Sequence, residues 1–126
     1  MALGTSYSDR PWAATVFFAY DENFNLLFYS REDTKHCRNI TKNQYVSVVI
    51  NHDWKDGRGH IRGLQMTGRA YKVLGQKYKR YYALYKSRFS WADDFAADHV
   101  LYLIKPSTVW YIDEKFFGHF YRVRIR

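Results

Sequence analysis

Tyr29-Ser30-Arg31-Glu32-Asp33-Thr34-Lys35-His36 is the stretch on which the reading of this chain turns. Two apolar runs precede it, Trp12 to Tyr20 and Leu26 to Tyr29. A short helical segment and then the strand-like Tyr45 to Ile50 follow it. A strand that ends in hydroxyls and opens a helix with Thr-Lys gathers backbone N–H groups, a hydroxyl and a cation around one point. That combination suits a phosphate monoester, because a helix start presents unpaired donors and a partial positive charge. The plainer reading of Thr34-Lys35 is a helix start with a solvated lysine. The rest of the chain decides between them.

Working outward, Trp12 to Tyr20 is a continuous run dense in β-formers and reads as one strand covered on both faces. Asp21 to Asn25 is a turn, and Leu26 to Ser30 returns to complete a hairpin. Thr34 to Lys42 reads as a short helix that Asp33 or Thr34 caps. Tyr45 to Asn51 is a further strand, followed by a polar loop from His52 to Gly59. In His60 to Val73, Gly63 and Gly68 punctuate a long strand, which predicts a bulge or a close backbone approach. Tyr78, Tyr82, Tyr85 and Phe89 recur at helical spacing among lysines and arginines, which predicts an amphipathic helix over 76–89. Val100 to Ile104, Thr108 to Ile112 and His119 to Ile125 complete the strands. Hairpins without a βαβ rhythm predict a mainly β fold: an antiparallel barrel of six or seven strands with short helices.

The 126 residues form one domain, 1–126, by the usual length prior. Nine Phe, twelve Tyr and four Trp exceed what one small barrel hides, so an aromatic interface in a homodimer is expected. A net charge of +8 favours anionic partners, either a phosphorylated small molecule or nucleic acid. The single cysteine, Cys37, forbids an internal disulfide and reads as a packing residue, so the expected setting is reducing and cytoplasmic. No Cys or His partner stands at metal-ligand spacing from it, and no metal is expected. No apolar run is long enough for a membrane span.

Three stretches together resemble the pyridoxamine 5'-phosphate oxidase-related FMN-binding split barrel, over about Trp12 to Arg126. They are "RPWAATVFFAYDENFNLLFYSREDTKHCRNI", "IRGLQMTGRAYKV" and "KPSTVWYIDEKFFGHFYRVRI". The nearest subgroup comprises small bacterial proteins whose substrate is mostly unassigned. The resemblance implies a homodimer with FMN at the subunit interface. It lays Ala14, Thr15, Val16 and Phe17 along the isoalloxazine. It brings Tyr29 and Ser30 to the ribityl chain and phosphate, and gives the phosphate to Thr34 and Lys35. Gly63 stands where the oxidase has a flavin-facing Gln, and Gln65, two residues on and on the same strand face, is a substitute. Trp110 is the candidate from the closing strands.

Two departures qualify the resemblance. The oxidase's C-terminal Arg-x-His-x-Arg signature is absent: Arg122, Arg124 and Arg126 alternate without a histidine, so vitamin B6 oxidation is not expected. The usual helix before the first strand is also absent, which leaves Met1 open as an alternative start or an artificial boundary. No side chain is an obvious general acid or base, so no catalytic residue is assigned. Flavin chemistry itself needs none. The readings that follow are an FMN-dependent oxidoreductase of unassigned substrate and a non-catalytic flavin or other cofactor carrier or sensor. A basic nucleic-acid-binding barrel ranks last, because acidic residues interleave the basic ones.

Overall fold

The computed structural model describes residues 1–53 and 59–126. The expected loop from His52 to Gly59 therefore lies partly outside the described residues. The chain opens with a strand that sequence reading overlooked, β1 (Ala2–Tyr7), paired antiparallel to β2 (Arg10–Thr15). Ser8 and Asp9 link them with φ of 51° and 61°, the pair of positive angles that a type I′ hairpin turn requires. Next come β3 (Ala19–Tyr20), β4 (Leu26–Arg31), α1 (Lys35–Lys42), β5 (Tyr45–Asn51), β6 (Arg62–Lys72) and α2 (Lys77–Arg88). A 3₁₀ turn at Ser90–Phe95, β7 (His99–Asp113), α3 (Glu114–Phe117) and β8 (Val123–Arg124) finish the chain.

All strand pairs are antiparallel, in the order β2-β1-β5-β6-β7-β4-β3 with β8 added on β7, and the sheet does not close on itself. This is a split barrel. Its eight strands among the described residues exceed the expected six or seven for reasons the register shows. The Trp12 to Tyr20 run is not one strand: β2 and β3 lie at opposite ends of the sheet order, and residues 16–18 carry the chain from one end to the other. Nor is its first half covered on both faces. As an edge strand β2 stays largely exposed, Trp12 at 42%.

The two expected strands at 100–104 and 108–112 are one 15-residue strand, bent where the register against β6 slips between Thr67 and Gly68. The predicted bulge is therefore real, and a β-carbon on Gly68 would overlap the Lys105 carbonyl. The expected strand at 119–125 shrinks to the two residues of β8.

Two apolar clusters flank the sheet. Leu3, Val48, Met66, Val109, Phe28 and Ile104 fill the barrel, and α1 closes its mouth with Cys37 and Ile40. Phe28 stacks on Tyr102 at 4.9 Å and 7°. On the far face of β4 and β7, Leu27, Tyr29, Leu101 and Leu103 pack under Tyr81, Tyr85 and Ala92. The predicted aromatic stripe of α2 is thus shifted: Tyr81 and Tyr85 are buried, while Tyr78 stacks on Tyr82 at the helix edge.

Candidate functional site

The segment 29–36 folds as its letters imply. β4 alternates its side chains, so Ser30 faces the barrel mouth beneath α1, while Tyr29 turns the other way into the cluster under α2. There Tyr29 meets Tyr82, Tyr85 and His99 at ring distances of 5.8, 5.7 and 5.2 Å. Burial raises its phenol pKa, with Tyr78 adding to the effect. Burial, with Tyr29 beside it, pushes the Tyr85 phenol up to about 12. Of the predicted pair, only the Ser30 side chain stands on the α1 side.

Thr34, rather than Asp33, is the N-cap of α1. Its φ and ψ of −67° and 152° are extended, and its Oγ1 accepts from the Cys37 N–H at 3.4 Å. The same hydroxyl donates to the Arg31 carbonyl at 2.9 Å. His36, 9% exposed, sets Nε2 at 3.0 Å from Ser30 Oγ and 3.3 Å from Thr34 Oγ1. Burial lowers its pKa, which keeps the ring neutral at physiological pH. The 30/36 spacing of His36 from Ser30 carries no signal until the strand-to-helix turn is known.

The charges sort themselves. Arg31 is held by Asp33 at 2.7 Å and Glu32 by Lys72 at 2.7 Å. No acidic residue stands in the first turn of α1. Lys35 has no ion-pair partner among the described residues; its Nζ lies over the Trp12 ring at 4.3 Å. Trp12, at the start of the apolar run, is thus a wall of this corner. The capped helix start, the Thr34 hydroxyl and the Lys35 ammonium are thus adjacent along the chain.

A second group forms on the outer face of the sheet. Cross-strand pairing lines up Thr15, Ala2, Val49, Gln65 and Trp110 in one row, continued by Arg124, whose guanidinium lies 5.8 Å from the Trp110 ring. The neighbouring row is small (Ala13, Gly4, Ser47, Thr67 and Thr108), and its first four residues line, with Trp12 and Tyr45, an open trough of about 740 Å³. Gly63 shares the face of Gln65, and a β-carbon there would overlap the Ile50 carbonyl oxygen. The backbone itself therefore forbids glutamine at 63.

The remaining predicted residues of β2 and its extension divide. Ala14 pairs with the fully buried Leu3 and Val16 packs on the barrel core, whereas Phe17 meets Phe89 and Trp91 at 5.4 Å each, beside α2. The chain thus carries Ser30 and Thr34, with Lys35, on the α1 side of its sheet, and Thr15, Gln65 and Trp110 on the other.

Residues 1–113 match the family model described as pyridoxamine 5'-phosphate oxidase. A UPF0306 protein of Pasteurella multocida is 29% identical over 112 residues, covering 88% of this chain and 68% of that one. A heme binding protein from Mycobacterium smegmatis superposes with a TM-score of 0.84 at 15% identity over 98% of this chain, which spans half (50%) of that structure's length. An FAD-binding protein from Mesorhizobium loti superposes with a TM-score of 0.70 at 20% identity, covering 86% of this chain and 78% of that one. At these identities the superpositions speak to the fold alone.

Proposed function

Because this chain belongs to the pyridoxamine 5'-phosphate oxidase family, we propose that it binds FMN, with the phosphate at the start of α1 and the ring against the Thr15–Gln65–Trp110 row. The observation that carries the reading is Lys35, a cation beside a capped helix start with no carboxylate to answer it among the described residues. A phosphate dianion would accept from the free N–H groups of the first turn, from a hydroxyl and from the ammonium together. Heme, which the name of the Mycobacterium smegmatis neighbour raises, draws less support from His36, whose ring is turned inward onto Ser30 and Thr34.

The two groups lie on opposite faces of one protomer's sheet, so a ligand touching both is best served by two chains. Trp110, Phe116, Phe120 and Tyr121 are 36%, 77%, 100% and 62% exposed, an apolar surface that a second copy would cover. The homodimer is therefore part of the proposal, and sedimentation of a monomer at micromolar concentration would remove it. A cytoplasmic setting is proposed on the single buried thiol alone. Among the described residues, no helix is long and apolar enough to cross a membrane.

Bound flavin would supply hydride or electron transfer; this chain would bind, orient and shield it. An oxidoreductase acting on an unassigned small molecule is the first version. A carrier or sensor is the second, favoured by the lack of any acid or histidine in the row Thr15, Ala2, Val49, Gln65, Trp110. The deciding experiment is titration of the purified protein with FMN, followed by the flavin's visible absorption and fluorescence. Saturable binding supports the reading, and reduction by nicotinamide donors selects the enzyme. Absence of binding, or a preference for heme, overturns it.

A further inference from the structure

The hydroxyl protons around the start of α1 can be placed by counting. Thr34 Oγ1 has one proton, and it goes to the Arg31 carbonyl at 2.9 Å. Its lone pairs are then left to accept, one from the Cys37 N–H at 3.4 Å and one from the His36 ring at 3.3 Å. For the ring to donate there, the proton of His36 must sit on Nε2. The same Nε2–H faces Ser30 Oγ at 3.0 Å, so Ser30 accepts from the ring and its own proton is left over. If the ring carried its proton on Nδ1 instead, Ser30 would donate inward to Nε2 and would turn only lone pairs toward an anion.

Resting on the phosphate placement above, we infer that His36 is a positioning residue: its Nε2–H fixes the hydroxyl of Ser30 as a donor toward the bound phosphate. The ring does not touch the ligand in this arrangement. Ser30 is 7% exposed and His36 is 9% exposed, so solvent offers neither an alternative partner at low cost. Burial, which keeps the ring neutral, leaves the two tautomers as the states in competition. The lining by Thr34 and Ser30 selects between them.

Two measurements test this. The first needs no ligand: ¹⁵N resonances of the imidazole in the free protein report the tautomer directly. Nε2 protonated is expected, and a proton on Nδ1 overturns the inference. The second compares FMN with riboflavin, which lacks the phosphate, in His36→Leu, His36→Gln and Ser30→Ala proteins. His36→Leu and Ser30→Ala should each weaken FMN about tenfold, the cost of one lost hydrogen bond to a charged group, and riboflavin far less. His36→Gln, whose amide N–H reaches the same place, should restore most of that loss. The double variant His36→Leu/Ser30→Ala should lose no more than either single one. Equal losses for both flavins, or no rescue by glutamine, would reduce His36 to a packing residue. If the unaltered protein fails to prefer FMN over riboflavin, it is the phosphate placement that fails; the tautomer then stands or falls on its resonances.

Discussion

α1 and α2 look alike as sequence, short, basic and amphipathic, and the structure gives them opposite employment. α2 buries Tyr81 and Tyr85 against the back of β4 and β7, and two of its five basic residues are paired: Arg80 bonds Glu22 at 2.6 Å, and Lys86 pairs with Asp93. Asp93 also accepts from the Tyr82 hydroxyl at 2.6 Å. Its start has no side-chain cap. α1 is capped by Thr34, and its first cation rests on an aromatic ring with no carboxylate beside it among the described residues. The number of basic residues does not separate the two helices; a side-chain cap and a cation together at the helix start do. A cation paired at the surface has little left to offer a ligand, while an exposed ion pair itself contributes little to stability.

The largest effect that would break this division is on the α2 side. Tyr85 is 1% exposed, and Tyr85→Ala should destabilise the fold by about 3–5 kcal/mol, a cavity cost seen as a lower midpoint in denaturant unfolding. The preference for FMN over riboflavin should survive in whatever fraction stays folded. A change in that preference would show that α2 belongs to the site after all.

Next comes Lys35→Ala. Loss of a charge-assisted contact is worth roughly 1.5–3 kcal/mol, so FMN should weaken by about 10- to 150-fold. Riboflavin should lose far less, and stability should move little, since the lysine gives up only a contact with the Trp12 ring. Equal losses for both flavins would mean that Lys35 only supports the fold. Thr34→Ala is smaller: removing the cap should cost about 1 kcal/mol of stability, read by the same unfolding titration. If Thr34→Ala costs nothing, Asp33 can take over the cap and the contrast in capping loses its meaning.

How far the sequence could be read follows from the same contrast. α1 was legible because its signals are local, the end of a strand followed by a capping residue, and it lies within one residue of its expected start. The bent strand was legible because Gly68 is needed where Lys105 approaches. β1 was missed because Ala2 to Tyr7 holds just one large aliphatic residue, Leu3, and its pairing partners are distant or across a two-residue turn. The Trp12 to Tyr20 run misled because apolar content says that a segment wants cover without saying that its own chain supplies it. The site was legible in halves. Thr34-Lys35 announces itself, whereas the Gln65–Trp110 pairing depends on a register that only the folded sheet fixes, and the inward turn of His36 depends on β4 running beneath it.

The smallest effect is also the cleanest separator of the two helices, because each owns a different pH window. Lys86 and then Tyr82 hold the Asp93 carboxyl below its ordinary value of 3.8. A depressed carboxylate contributes stability that is present above 3.8 and lost as pH falls through the lower folded value, so the signature of α2 lies below pH 3.8. His36 behaves differently. Burial lowers its pKa from 6.5, so as pH drops below 6.5 the unfolded chain takes up a proton that the native ring refuses. Stability is then complete above pH 6.5, declines as pH falls from 6.5 to the folded value, and loses nothing more from this group beyond it. Urea unfolding across a pH series resolves the two. His36→Gln should flatten the slope just below pH 6.5 and leave the limb below 3.8 as it was; Asp93→Asn should do the reverse. If His36→Gln leaves the upper slope unchanged, the ring is not held neutral by the fold. The start of α1 would then be no different in its electrostatics from the exposed flank of α2.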